Sequence, residues 1–328
     1  MDLLLEKLIK TYGVSGRENK IRDVIKDKLI SLGIEFKIDA MGNIITTLTK
    51  SSNKKTFALC SHMDTIGIIA TYIEDNGFIR CGAIGDFNLR EFQGGIAEFE
   101  NGTKGRIAME KSSDEIGDMF IDIGVSSREE ALRYVEEGDV AFLKGEIIQM
   151  NNIIMGPSLN NRIGCYILLK VLENIKDIKA LESSPYNITF VFTTQHNLGG
   201  RGARALTHGV MPDYALVIDG EESGDYIGSK GDLKLSEGLG MKIMDKNLII
   251  NDEIKDILEE VKEKNNIKIK KITSYSITDG GIIQREGKGC KTASMAFPCR
   301  YVNSSEEMVS LIDIEEGVKL IEGLLNIE

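Results

Sequence analysis

The chain has 328 residues, 42% of them hydrophobic and 28% charged, with a formal net charge of −11. That length suits one large domain plus a smaller one, and the acidic balance argues against nucleic acid, whose phosphates it would repel. No apolar run reaches the roughly 18 residues needed to span a bilayer, the first seven residues are charged and helix-periodic rather than signal-like, and five cysteines without a CxxC pair predict reduced thiols in a cytoplasmic protein.

A helix is predicted over 2–11. Ser15-Gly16-Arg17-Glu18 has the capping-box pattern and should open a second helix ending near Leu32. Residues 36–48 read as two short strands about Met41-Gly42-Asn43, and 51–55 as a polar turn. Residues 57–60 form an apolar strand running into Ser61-His62-Met63-Asp64. From 72 the texture changes to short strands and glycine turns, with one helical stretch at 127–137. This predicts a small β-barrel inserted at 72–150. Helix–strand alternation then resumes, with helices at 162–176, 202–208, 252–264 and 305–325. The strands between them fall at 187–194, 214–219, 268–275 and 291–297. Residues 1–71 and 151–328 therefore make one discontinuous α/β domain with helices on both sheet faces. Ligands in such sheets sit beyond the strand C-termini, where His62, Gln195-His196-Asn197 and Asp219 all fall.

Three histidines are present, His62, His196 and His208. His62 and Asp64 are two apart at a strand end, so they share a face, and a carboxylate behind a histidine orients it as a metal ligand. His208 sits at a helix end, where an imidazolium suits the dipole. Cys60 reads as a core thiol, and Glu221 and Glu222 as a solvated loop. Spacing alone gives Asp279 no role.

Ser61-His62-Met63-Asp64-Thr65-Ile66-Gly67 resembles the first metal motif of the dinuclear aminopeptidases of the glutamyl aminopeptidase and tetrahedral (TET) type. Further landmarks follow in that family's order: Ile121 to Ser127, Arg162-Ile163-Gly164-Cys165, Gly199-Gly200-Arg201-Gly202-Ala203, Val217-Ile218-Asp219, Thr278-Asp279-Gly280 and Pro298-Cys299-Arg300-Tyr301. The resemblance covers nearly the whole chain. It implies a mixed central sheet of the zinc-aminopeptidase kind, a barrel acting as lid and dimerisation domain, and a homo-oligomer from dimer up to dodecamer. It further implies removal of N-terminal residues from peptides by two zinc or cobalt ions.

Carried over residue by residue, the resemblance assigns His62 and Asp219 to the first metal and Asp64 to the carboxylate behind His62. Asn160 stands at the bridging aspartate, His196 at the general base, and Asn197 and Asn303 at ligands of the second metal. Two dications held about 3.5–4 Å apart need anionic ligands, and an amide is neutral and a poor zinc ligand. The expectation is thus a retained scaffold with an impaired dinuclear site. The alternative is one divalent metal on His62, His196 and Asp219 with water in the fourth place, which requires His196 to swing in from the base position.

Overall fold

The computed structural model describes residues 1–110, 115–176 and 178–326. Helix α1 (Leu3–Lys10) begins at Asp2, whose side chain accepts the Leu4 N–H, and α2 (Asn19–Ser31) follows. The start of α2 departs from the capping-box expectation. Glu18 makes no capping bond there, and Ser15 Oγ is buried with no partner among the described residues. Glu18 is buried, and its Oε1 accepts the N–H groups of Gly16 at 2.8 Å and Gln195 at 3.0 Å. The carboxylate is thus committed to a loop far along the chain instead of its own helix.

Strands β1 (Lys37–Ile38), β2 (Ile44–Thr47) and β3 (Lys55–His62) come next. Six strands then close a barrel: β4 (Gly67–Ile73), β5 (Ile79–Ile84), β6 (Ile96–Phe99), β7 (Lys104–Met109), β8 (Met119–Asp122) and β9 (Val140–Lys144), ordered β4-β5-β8-β7-β6-β9. Ile79, Phe99, Ile107, Met119 and Ile121 point into it from alternating positions and build a core of its own. Only short helices accompany it, α3 (Leu89–Phe92) and α4 (Arg128–Ala131), so the helix predicted over 127–137 is a single turn.

The rest of the chain runs β10 (Ile148–Met150), β11 (Ile153–Gly156), α5 (Leu159–Asn174), β12 (Tyr186–Thr193), α6 (Arg201–Gly209), β13 (Tyr214–Glu222), β14 (Leu239–Met244), α7 (Asp252–Asn265), β15 (Ile269–Thr273), α8 (Asp279–Arg285), β16 (Lys291–Cys299), β17 (Glu307–Ser310) and α9 (Leu311–Leu325). The helix predicted over 305–325 is therefore a strand followed by a helix. Residues 307–310 pair antiparallel with β11, and Ser310 caps α9 by accepting the Ile312 N–H. Strand β14 and helix α8 had no sequence expectation. β14 buries Lys242 completely, and that charge breaks its apolar pattern.

The central sheet has eight strands in the order β1-β2-β12-β3-β13-β16-β14-β15. Its middle four are parallel, while β2 and β14 join antiparallel, so the sheet is mixed. One face packs α1, α5, α7 and α9 over a large core that includes Leu59, Leu168, Leu216 and Leu320. The other face packs α6 and α8, through Leu206, Ile282 and Ile283, on Cys60 and Val217. Cys60 is accordingly a core thiol, and His208 lies exposed near the end of α6. The wholly buried Arg162 of α5 donates to the carbonyls of Leu8 at 2.7 Å, Thr11 at 3.1 Å and Gly13 at 3.4 Å. It thereby satisfies carbonyls that the end of α1 leaves open and fastens the N-terminal segment beside the site. Among the described residues no helix is long and apolar enough to cross a membrane.

Candidate metal centre

Three neighbouring parallel strands bring the site together at their C-terminal ends. His62 is the last residue of β3 and lies in register with Thr193, the last of β12. Val217 of β13 pairs with Cys60, which carries Asp219 up beside His62. Beyond β12 the chain turns through Gln195, in left-handed backbone conformation, into a single turn at His196–Leu198. The two imidazoles stack with centroids 4.1 Å apart at 10°, and His62 Nε2 lies 3.4 Å from Asp219 Oδ1. One ligand atom from each of His62, His196 and Asp219 falls within 4.8 Å of the others. His62 Nε2 is buried and makes no hydrogen bond. A buried ring nitrogen with no hydrogen-bond partner, beside a carboxylate and a second imidazole, makes these three residues candidate ligands for a divalent cation. The ring of His196 thus lies beside His62 and Asp219, the other two residues of the single-metal alternative.

What fixes the two rings differs from expectation. His62 Nδ1 is 3.1 Å from the backbone carbonyl of Asp64 and 3.6 Å from its carboxylate. The Asp64 carboxylate instead accepts the N–H groups of His196 at 3.0 Å and Asn197 at 3.1 Å, and the Asn197 amide at 3.0 Å. It holds the turn that delivers His196. His196 Nδ1 lies 2.8 Å from Asp279 Oδ1, a partner that spacing could not supply. Burial works against charging His62, yet Asp219 and Asp64 raise its pKa well above the usual histidine value. Burial and His62 oppose charge on His196, but Asp279 together with Asp219 raises its pKa above the usual histidine value. Burial likewise disfavours the Asp219 anion, but the two histidines hold its carboxyl below the usual range.

The amides at the other expected ligand places are bonded to their surroundings. Asn160 Oδ1 accepts the Gly220 N–H at 3.1 Å, and its Nδ2 is 3.5 Å from Asn303 Oδ1. Asn303 Nδ2 donates to the carbonyl of Asp86, on the loop that follows β5, at 2.9 Å. Asn197 packs on the same loop, where a Cβ on Gly85 (φ +89°) would come within 3.0 Å of its Oδ1. One buried carboxylate aligns two of the three amides, since Glu307 accepts the N–H groups of Asn160 at 2.8 Å and Asn303 at 2.7 Å.

Burial pushes the Glu307 carboxyl up to about 8. Its folded value lies above its unfolded value, so the stability it confers is complete below about pH 4.5 and lost as pH rises through about 8. Urea midpoints should accordingly fall between those limits, and Glu307→Gln should flatten that slope. An unchanged slope in the variant would refute this origin.

His62, Asn160, His196, Asn197, Asp219 and Asn303 line one cleft of about 580 Å³. Glu221 and Glu222 also line it, which corrects the solvated-loop expectation. β13 runs on past Asp219 and carries both to the rim. Glu221 pairs with the buried Lys242 at 2.5 Å and accepts from Ser274 and Ser276, while Glu222 accepts the N–H groups of Tyr301 and Val302. Phe87 from the barrel side, and Lys246 and Tyr275 from the loops about β14 and β15, complete walls that carried no sequence signal.

This geometry accompanies a family match. The M42 glutamyl aminopeptidase model matches residues 42–320. The chain is a member of the M42 family. An Acetivibrio thermocellus protein named a putative aminopeptidase is 34% identical, over 97% of this chain and 96% of its own length. Among solved structures, aminopeptidase APDkam598 of Desulfurococcus kamchatkensis superposes with a TM-score of 0.91 at 28% identity, over 99% of this chain and 94% of that one. The Pyrococcus horikoshii TET1 peptidase gives 0.87 at 30% identity, over 98% of each chain. For an M42 protein, the mixed sheet with its closed barrel is the expected fold, and the His/His/Asp cluster contains His62 and Asp219, the pair that the resemblance assigned to the first metal.

Proposed function

We propose that this M42 protein binds one divalent cation, zinc or cobalt, through His62, His196 and Asp219, and removes N-terminal residues from peptides with catalysis far weaker than a two-metal site would give. The unpartnered, buried Nε2 of His62, within reach of His196 and Asp219, carries this reading. When bound, the cation would polarise a scissile carbonyl and a water molecule. The chain's own residues set the limits. Asp219 is the single acid among the three ligands. Asn160, Asn197 and Asn303 bring no charge to a second cation, so the repulsion between two dications would go unopposed. With His196 in the ligand set, no group is left at the base position to accept a proton, and a positioned base ordinarily contributes about 10²–10⁴-fold.

Asp86, Glu221 and Glu222 give the cleft mouth acidic character that suits a peptide α-ammonium. The barrel, whose six strands run from Gly67 to Lys144, is proposed as lid and dimerisation domain. The P. horikoshii TET1 peptidase assembles into a tetrahedron or a large octahedral shell, and a homo-oligomer of related kind is proposed here. Five free, buried cysteines agree with a cytoplasmic setting. Elemental analysis after reconstitution and dialysis tests the central claim, with one equivalent of zinc or cobalt expected. Aminoacyl-chromogenic substrates should show slow turnover that a chelator abolishes. Two equivalents, or turnover typical of efficient peptidases, would overturn the proposal.

A further inference from the structure

Asp279 lies far in sequence from both histidines, yet it is one of the most enclosed carboxylates near the cleft, 2% exposed. It opens helix α8, behind Thr278, whose side chain accepts the Gly280 N–H and donates to Asp245 Oδ2 at 2.7 Å. Both oxygens of Asp279 are engaged. Oδ2 accepts the Thr193 hydroxyl at 2.7 Å, and Oδ1 lies 2.8 Å from His196 Nδ1. Thr193 is the residue in register with His62 at the end of β12, so the carboxylate is referenced to the same strand end that carries the site. Gly200 permits the approach, because a Cβ there would lie 2.1 Å from Ile282 Cδ1 and 3.2 Å from Asp279 Oδ1.

We infer that Asp279, locked by Thr193, is the positioning residue that turns position 196 into a metal ligand: it holds a hydrogen on His196 Nδ1 and thereby directs Nε2 toward His62 Nε2 and Asp219. The inference rests on the cation site proposed above. An imidazole whose one nitrogen donates to a carboxylate must present its other nitrogen as the ligand. His62 relies on a backbone carbonyl for the same service, so the two rings are oriented by different groups, and loss of Asp279 should release His196 alone.

The experiment uses the full-length protein with 15N-labelled histidine, with and without zinc. Without zinc, the His196 Nδ1–H proton should resonate far downfield and exchange slowly, as a hydrogen bonded to a buried carboxylate does. Asp279→Ala should abolish that resonance and leave the His62 signals in place. Zinc affinity, read by competition with a chromophoric chelator, should fall about 10–100-fold in Asp279→Ala. In Asp279→Asn, whose amide oxygen still accepts the hydrogen, it should fall less. Thr193→Val, which keeps the carboxylate but frees it to rotate, should lie between Asp279→Asn and the parent and guards against an alanine variant that fails to fold. A downfield proton that survives Asp279→Ala, or variants that bind zinc as tightly as the parent, would overturn the inference. A parent that binds no zinc would sink the cation site itself, and the resonance in the metal-free protein would still decide whether Asp279 orients His196.

Discussion

His196→Ala should weaken zinc or cobalt binding by more than about 100-fold, beyond the 10–100-fold that losing an outer partner typically costs. The reason is the small size of the donor set. His62, His196 and Asp219 are the one cluster of metal-ligating groups found among the described residues, so removing one leaves two, and two neighbouring acids are already committed elsewhere. Asp64 is held by three N–H donors and Glu221 by Lys242. His62→Ala should cost at least as much. His208→Ala, at the exposed end of α6, should leave affinity unchanged and serves as the control. Competition titration against a chromophoric chelator reads all three variants. Parent-like affinity in His196→Ala would return position 196 to the base role suggested by the family resemblance.

Restoring the resembled ligand set should raise bound metal from one equivalent to two. The variant combines Asn160→Asp, His196→Glu, Asn197→Glu and Asn303→His. It adds three carboxylates and an imidazole around Asp219, enough anionic charge to hold two dications at the roughly 3.5–4 Å of two-metal sites. It also returns a carboxylate to the base position, so aminopeptidase turnover should climb by about 100-fold or more. Each single change should gain nothing. Asn303→His, for example, removes the amide that bonds Asp86 before any second cation is there to reward the imidazole. Metal content and turnover should therefore rise together and only in the combined variant. A combined variant that folds and still holds one equivalent would show that charge is not what excludes the second metal.

Much of the frame was legible in the sequence, because alternation, turns and motif order act locally. β3, β12 and β13 fall where their apolar runs end, and His62, His196 and Asp219 stand at those ends. Three kinds of feature were not legible. Lys242 hides β14, since a buried ammonium paired with Glu221 reads as a surface residue until its partner is known. The stretch 307–310 reads as helix until β11, far upstream, is there to pair with it. Glu18 fits a capping box, but its bond to Gln195 depends on tertiary placement. In the site, the amides at 160, 197 and 303 could be read from the sequence, while the ring geometry depended on Asp279. Its Thr-Asp-Gly context marks the start of a helix and carries no hint of an imidazole 2.8 Å away.

The position of β3 has a consequence for how the chain leaves the ribosome. Its two sheet neighbours, β12 and β13, both come from the far side of the barrel in sequence. The barrel's six strands are contiguous in the chain and pair only with one another, so their contacts can close early in synthesis. Meanwhile β3 emerges with both edges open and its apolar residues uncovered, the state in which nascent strands pair with the wrong chain. The segment most exposed to misassembly during translation is thus the one that ends in His62.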